Sequence, residues 1–358
     1  GQIDAMDARS PANGAAVAAG LGGALAIGVK SKAFGSSLGW NQVTSDIRAR
    51  IDGGAVVNAD GDVTVEALST EADDLTDGKI ASLAVGGSVG KDIAVGASLA
   101  INGVLIDAEA LIEGPTTTVR SAGDVTVTAD DSSTIKALTG GAGISLKSTG
   151  VGAAIGANYI SNDITAKIDG ATVEAGVGGI EGGDVVVSSA SAGSIQSITA
   201  GLAGGKSTAV AGSLSISVFN ATVEAAIDGA ADVDATGDVV VRAVNTAQSF
   251  IVAGSVALSA KAAVGASLSS LTLVNDTLSW SDGDASGAAR TISTGAGRPD
   301  LEGTARKGVS VEALSAQDLT NIAVGGAGGK VAFSGSGGVT VIDDEVAAIV
   351  QAPPRLAA

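Results

Sequence analysis

The chain has no cysteine and no histidine. Disulfides, thiolate chemistry, histidine bases and the usual zinc sites are thereby excluded. Proline is scarce, at 5 residues in 358, so the 53 glycines do not mark a Pro/Gly-rich disordered segment. Aromatics make up 2% against a hydrophobic fraction of 45%, which leaves Ala, Val, Ile and Leu as the apolar mass. A compact core of this size normally uses large aromatics, whereas a thin core between narrow sheets need not. Positive charge is the other deficit: 20 basic against 38 acidic residues leave −18. Nucleic acid is not expected as a partner, since such binding rests on neutralising phosphates. A surface this acidic suits solubility and cations, calcium first among them.

The lack of cysteine does not fix a compartment. The chain opens at Gly1 with no initiator Met and no charged leader, and it ends mid-pattern. It is read as a processed product or a piece of a longer protein. Ser10 to Val29 is uncharged and long enough to consider a membrane helix. Its Gly/Ala content, and its alignment with an arm found in every other unit, favour a strand. A membrane barrel is disfavoured, because Trp40, Tyr159 and Trp280 cannot form two aromatic girdles. The chain is expected not to span a membrane.

A repeat fills the sequence. Lys30, Lys91, Lys147, Lys206, Lys261 and Lys330 each sit between runs of Gly, Ala, Ser and Val. In four units an Ile-Asp/Glu-Gly triplet follows 21 residues after the lysine: Ile51-Asp52-Gly53, Ile112-Glu113-Gly114, Ile168-Asp169-Gly170 and Ile227-Asp228-Gly229. A fixed period of this kind indicates one structural unit copied along the chain. Each unit opens with a Gly-Asp turn and a short strand, as in Gly123-Asp124-Val125-Thr126-Val127. The first valines, Val63, Val125, Val185, Val239 and Val309, are 62, 60, 54 and 70 residues apart.

Two long arms flank each lysine, such as Ile80 to Gly90 and Ile93 to Ile106. Residues alternate strictly along them, the period of a strand. After Lys91, Ile93, Val95, Ala97, Leu99 and Ile101 share one face, opposite Ala94, Gly96, Ser98 and Ala100. After Lys206, Val210, Gly212, Leu214, Ile216 and Val218 oppose Ala211, Ser213, Ser215 and Ser217. One face is branched and apolar; the other is nearly featureless. The featureless face either lets another sheet approach closely or lies flat against water. Asn102, Asn162, Asn220 and Asn275 lie near the ends of the long arms.

The expected fold is all-β: a right-handed, repetitive β-solenoid (β-helix-like) rod of about 60 residues per unit. Long Gly/Ala/Ser-rich β-hairpins would project from it, with the lysines at their tips. The units are a partial one at 1–53, then 54–114, 115–170, 171–229, 230–300 with an inserted loop at 281–306, and a final partial unit at 301–358. Pro353-Pro354 ends the strand pattern.

Repeats of the form A-x-I-D-G-A-x-V-x-A-G-G-D-V-x-V-x-A, alternating with such arms, resemble those of very large bacterial filamentous adhesins and exoproteins. These form the haemagglutinin- and leukotoxin-like surface protein class. The resemblance runs from Ile47 to Ile349. It implies an extended β-helical exoprotein, secreted or held at the bacterial cell surface.

Site chemistry is sparse. Gly201 to Ser207 looks like a phosphate loop, but it is one residue short and is followed by a strand rather than a helix. Asn58, Asp60 and Asp62, and Asp232, Asp234 and Asp238, are spaced as candidate calcium ligands, with Asp73, Asp74 and Asp77 a further group. The alternative is that Asp occupies turns, where it bonds nearby amides. No catalytic group is assigned, and the chain is not read as an enzyme. The six lysines have two readings. They keep hairpin ends soluble, or they line up as a basic row for anionic polysaccharide, other surface proteins or a neighbouring copy. The functional expectation is a structural or adhesive stalk segment; the alternative is a self-assembling sheath or fibre subunit.

Overall fold

A computed structural model describes residues 2–5, 8–14, 18–29, 31–69, 79–178, 182–281, 291–294, 308–350 and 355–357. They form strands in three stacks, every pairing parallel. The short stack holds β1 (Gln2–Ala5), β5 (Val56–Ala59), β9 (Thr118–Ser121), β12 (Thr172–Ala175), β15 (Asp232–Ala235), β18 (Thr291–Thr294) and β21 (Arg355–Ala357). The entry sheet, which leads into the lysine turns, holds β2 (Ala8–Gly14), β3 (Ala18–Gly28), β6 (Val63–Ser69), β7 (Ile80–Gly90), β10 (Val125–Ser145), β13 (Val185–Gly205), β16 (Val239–Ser259) and β19 (Val309–Gly328). The exit sheet, which leads away from them, holds β4 (Lys32–Ile51), β8 (Ile93–Glu113), β11 (Thr149–Asp169), β14 (Thr208–Asp228), β17 (Ala262–Ser281) and β20 (Val331–Val350).

Each repeat therefore contributes to each of the three sheets, with two strands in the entry sheet for the first two repeats (β2 and β3, β6 and β7), stacked in order as coils of a β-helix-like solenoid are. The register follows the sequence repeat. Val63, Val125, Val185, Val239 and Val309 stand in one row. The Gly-Asp strand and the first arm are one continuous strand of 21 residues in β10, β13 and β16.

The arms are not hairpins. β7 pairs with β3 and β10, and β8 pairs with β4 and β11; the two arms of a unit lie in different sheets. The physical reason is that each arm satisfies its backbone with the same arm of the next coil, where mostly similar side chains meet in register. The proportions also depart from a rod over this length. A 21-residue strand reaches about 70 Å, while six coils advance only about 24 Å along the stack. This segment is a broad plate.

The Ile-Asp-Gly triplets turn the chain as expected. Gly53, Gly114, Gly170 and Gly229 have φ of +66°, +104°, +65° and +64°, a left-handed conformation that glycine adopts without strain. The isoleucine before each turn points inward, and Ile112, Ile168 and Ile227 are fully buried.

The interior is of two kinds. In the base half, near the triplets, three sheets enclose a hydrophobic core of Val65, Val119, Ile135, Ile164, Val173 and their row-mates. In the distal half, toward the lysines, only the entry and exit sheets meet. There the inward rows are Gly, Ala and Ser, with Thr139 and Thr199 among them. A Cβ on Gly141 would collide with the carbonyl oxygen of Ala153, and one on Gly152 with that of Leu202. The sheets are thus in backbone contact. The small-residue face is the inner one, and the branched apolar face points outward.

Between the halves, an amide ladder crosses the coils. Asn41 Nδ2 donates to Asn102 Oδ1 at 2.8 Å, Asn102 Nδ2 to Asn158 Oδ1 at 2.8 Å, and Asn158 Nδ2 to Ser197 Oγ at 3.0 Å. Of the asparagines expected near the arm ends, Asn102, Asn162 and Asn275 are buried, while Asn220 points outward. A ladder of buried amides satisfies its own polar groups only when the coils are in register.

Candidate functional surfaces

The lysine turns stack along one edge of the plate. Lys147 N donates to Lys91 O at 2.8 Å, Ser207 N to Ser148 O at 3.0 Å, Ala262 N to Ser207 O at 3.0 Å, and Val331 N to Lys261 O at 2.8 Å. Lys147, Lys206, Lys261 and Lys330 are exposed and Lys91 is half-buried; Lys30 lies outside the described residues. Among the described residues no carboxylate is within ion-pair distance of any of these five. The basic row is therefore a feature of this edge, on arches rather than on hairpins.

The candidate calcium ligands do not converge. Asn58 and Asp234 occupy one row of the short stack, with Arg120 and Glu174 between them. Arg120 Nη2 donates to Glu174 Oε1 at 3.1 Å. Asp60 and Asp232 are exposed beside them. Asp62 and Asp238 take part in a different construction. Asp62 Oδ1 accepts from Asp124 N at 2.9 Å, Asp124 Oδ1 from Asp184 N at 2.8 Å, Asp184 Oδ1 from Asp238 N at 2.7 Å, and Asp238 Oδ1 from Gly308 N at 2.7 Å. Each Gly-Asp turn is thus tied to the turn of the next coil. Among the described residues no group of three or more acidic side chains is placed to hold a metal ion. Asp73, Asp74 and Asp77 lie outside the described residues, as does most of the inserted loop. Gly201 to Gly205 ends β13 and is followed by the strand β14, a context no phosphate loop has.

The carboxylates that do assemble are on the outer face of the exit sheet, in its base half. Asp46, Asp107, Asp163, Thr222, Asp276 and Glu345 form one row. Arg48 serves the near end, with its Nε 3.1 Å from Asp46 Oδ1 and its Nη2 3.2 Å from Asp107 Oδ2. Asp163 has no such partner. Loss of solvent, then the charges of Asp107 and Glu224, raise its carboxyl above the ordinary aspartate value. Farther along, Lys167 bridges Asp169 and Asp228 at 3.3 and 3.0 Å. Burial opposes its charge, but these two carboxylates outweigh burial and raise its pKa.

Toward the lysines both outer faces turn apolar. On the exit sheet Val95, Val151, Val210 and Val264 form one ridge, and Leu99, Ile155, Leu214 and Leu268 a second. Between them runs a furrow of Ala97, Ala153, Gly212 and Ala266. On the entry sheet Leu21, Leu83, Leu138, Ile198, Val252 and Ile322 form a row. Within the stack Leu138 is 45% exposed, Ile198 44%, Ile155 41% and Leu268 45%. Contiguous exposure on this scale is unusual for a soluble monomer and marks contact surfaces.

One buried group has no counterpart in the sequence repeat. Lys79, just before β7, is 1% exposed, and its Nζ lies 2.6 Å from Asp131 Oδ1. Asp131 Oδ2 accepts from Ser133 Oγ at 2.7 Å and from Asn162 Nδ2 at 2.6 Å. Ser69 also accepts from Lys79. The sequence signal is slight: Lys79 follows Asp77-Gly78 and stands directly ahead of a buried isoleucine, Ile80.

No helix of the described residues is long and apolar enough to cross a membrane. Comparison with models of known protein families, with curated proteins and with solved structures found no match.

Proposed function

We propose that this chain is a structural and adhesive repeat segment of a bacterial cell-surface or secreted exoprotein. The observation that supports it best is the in-register stacking of one unit on the next. Such an array grows by copying, and any residue kept at one position becomes a row across the surface. The extracellular setting rests on the resemblance of the repeats to those of filamentous adhesins. The plate proportions bear on how the segment works. At about 4.8 Å of advance per coil, the segment acts through the breadth of its faces more than through reach. The test is adhesion of surface-immobilised chain to bacterial cells and to anionic polysaccharide. Binding that falls when Lys147, Lys206 and Lys261 are replaced by Gln supports the reading. A chain that binds neither target contradicts it.

A second reading, the self-assembling sheath or fibre subunit, is favoured by the apolar outer faces. Electron microscopy of the purified chain tests it: particles that grow with concentration support it, and plates of single-chain size at every concentration contradict it.

A further inference from the structure

The exit sheet presents, in order from the lysine edge, a cationic edge, an uncharged apolar band and an acidic row. A face with this order is complementary to itself. If a second copy is turned about an axis parallel to the stack, strand direction reverses across the interface while coil order is kept. The cationic edge of each copy then lies toward the acidic row of the other, and apolar band meets apolar band.

We propose that two copies of this chain pack through the distal halves of their exit sheets, with strands antiparallel across the interface. The axis runs between the furrow and the leucine ridge. Leu99, Ile155, Leu214 and Leu268 then seat in the partner's furrow, and the furrow receives the same ridge in return. Counting from the axis, the lysine turns come to rest just short of the acidic row. The length of a lysine side chain closes the gap. Lys91 meets the partner's Asp107, Lys147 the partner's Asp163, Lys261 the partner's Asp276, and Lys330 the partner's Glu345.

Size supports this occupant. About ten residues of arm across six strands make a face of roughly 900 Å², against roughly 800 Å² per partner in a standard stable interface. Charge supports it too. Among the described residues Asp163 and Asp276 have no cation within ion-pair distance, and neither do the turn lysines a carboxylate. The carboxyl of Asp163 is raised first by loss of solvent and then by the charges of Asp107 and Glu224. Such pairs set orientation more than affinity; the apolar ridges supply most of the attraction. An anionic glycan would engage the lysines but leave the apolar band and the acidic row unexplained. A lipid surface would cover the band but not reward the acidic row.

The proposal rests on the self-association reading, and it can fail separately: microscopy detects any assembly, whereas a cross-link identifies the face. Chains labelled with light and heavy nitrogen are mixed, allowed to exchange, and treated with a carbodiimide, which joins lysine to carboxylate directly. Within one chain Lys147 and Asp163 are 16 positions apart on an extended path, roughly 50 Å, so no bond forms between them. The expected result is a Lys147–Asp163 cross-link and a Lys261–Asp276 cross-link, each joining one light and one heavy chain. Replacing Ile155→Lys and Leu214→Lys should weaken dimerisation about tenfold or more. Lys147→Glu should weaken dimerisation less than the two ridge substitutions do and remove the 147–163 cross-link, and the charge-swapped chain Lys147→Glu, Asp163→Lys should restore both. Light–heavy cross-links only at other positions overturn the proposal. So does a chain that stays monomeric by sedimentation, whether it ignores or binds vesicles of anionic lipid.

Discussion

The same long strands are built in opposite ways at their two ends. In the base half Val and Ile point inward and Asp, Glu, Arg and Thr point outward. In the distal half Gly, Ala and Ser point inward and Val, Leu and Ile point outward. The difference follows from how many sheets meet. At the base the short stack holds the two long sheets apart and leaves a volume to fill with branched side chains. Beyond its reach the long sheets collapse onto each other until backbones touch, and only small residues fit between them. Hydrophobic burial stabilises the base. Close backbone packing shapes the distal half, which leaves its apolar side chains for outside contacts.

Each half can be broken separately. The largest effect is expected at the buried ion pair of the base. Lys79→Met leaves Asp131 charged and without its cation, which should cost about 3–5 kcal/mol in denaturant unfolding. Replacing both, Lys79→Met with Asp131→Leu, should recover much of that loss. Next comes Ile168→Ala, which opens a cavity in the fully buried isoleucine row and should cost about 2–5 kcal/mol.

In the distal half, two adjacent glycines sharpen the contrast. Gly141→Val drives a side chain into the Ala153 carbonyl and should cost about 1–3 kcal/mol or more. At outward-facing Gly140 an added Cβ meets nothing nearer than Val85 at 3.9 Å. Gly140→Val should stay within about 0.5 kcal/mol of the parent. Equal losses at the two positions would contradict the assignment of faces.

The smallest effect is a pH dependence. The fold raises the carboxyls of Asp130, Asp163 and Asp234, with burial the first cause in each case. The folded chain therefore holds these protons more tightly than the unfolded chain does. Through these groups, stability should rise as pH falls through their raised values toward the ordinary aspartate value, and change no further below it. Asp163→Asn should flatten part of that slope in melting temperatures measured against pH.

Much of this fold was legible in the sequence. Strict alternation after Lys91 and Lys206 identifies strands, and the lysine-to-triplet spacing identifies the repeat whose register the sheets keep. What alternation cannot tell is which face is inside. Leu99 and Ser98 differ in hydrophobicity, and burial of leucine is the ordinary outcome. Here the space between two sheets in backbone contact has no room for it. In sequence the arms read as hairpins, because a two- or three-residue turn between strands is the usual hairpin signal. Only the partners of each strand distinguish an arch from a hairpin, and those lie a full repeat away. The Gly-Asp turns were legible as turns, but their coil-to-coil ladder was not, since Asp124 and Asp184 meet across 60 residues. The Lys79–Asp131 pair joins residues 52 apart and was likewise out of reach of local pattern.

The account depends most on the inverted distal half, and one strand position decides it. Leu138 and Thr139 are neighbours in β10, in the sheet that the proposed dimer leaves open. Leu138 is 45% exposed and Thr139 fully buried. The chain has no native cysteine, so single Leu138→Cys and Thr139→Cys variants can be titrated with a thiol reagent under native conditions. The account predicts rapid labelling at 138 and labelling slower by orders of magnitude at 139. Rapid labelling at 139 with protection at 138 would contradict it.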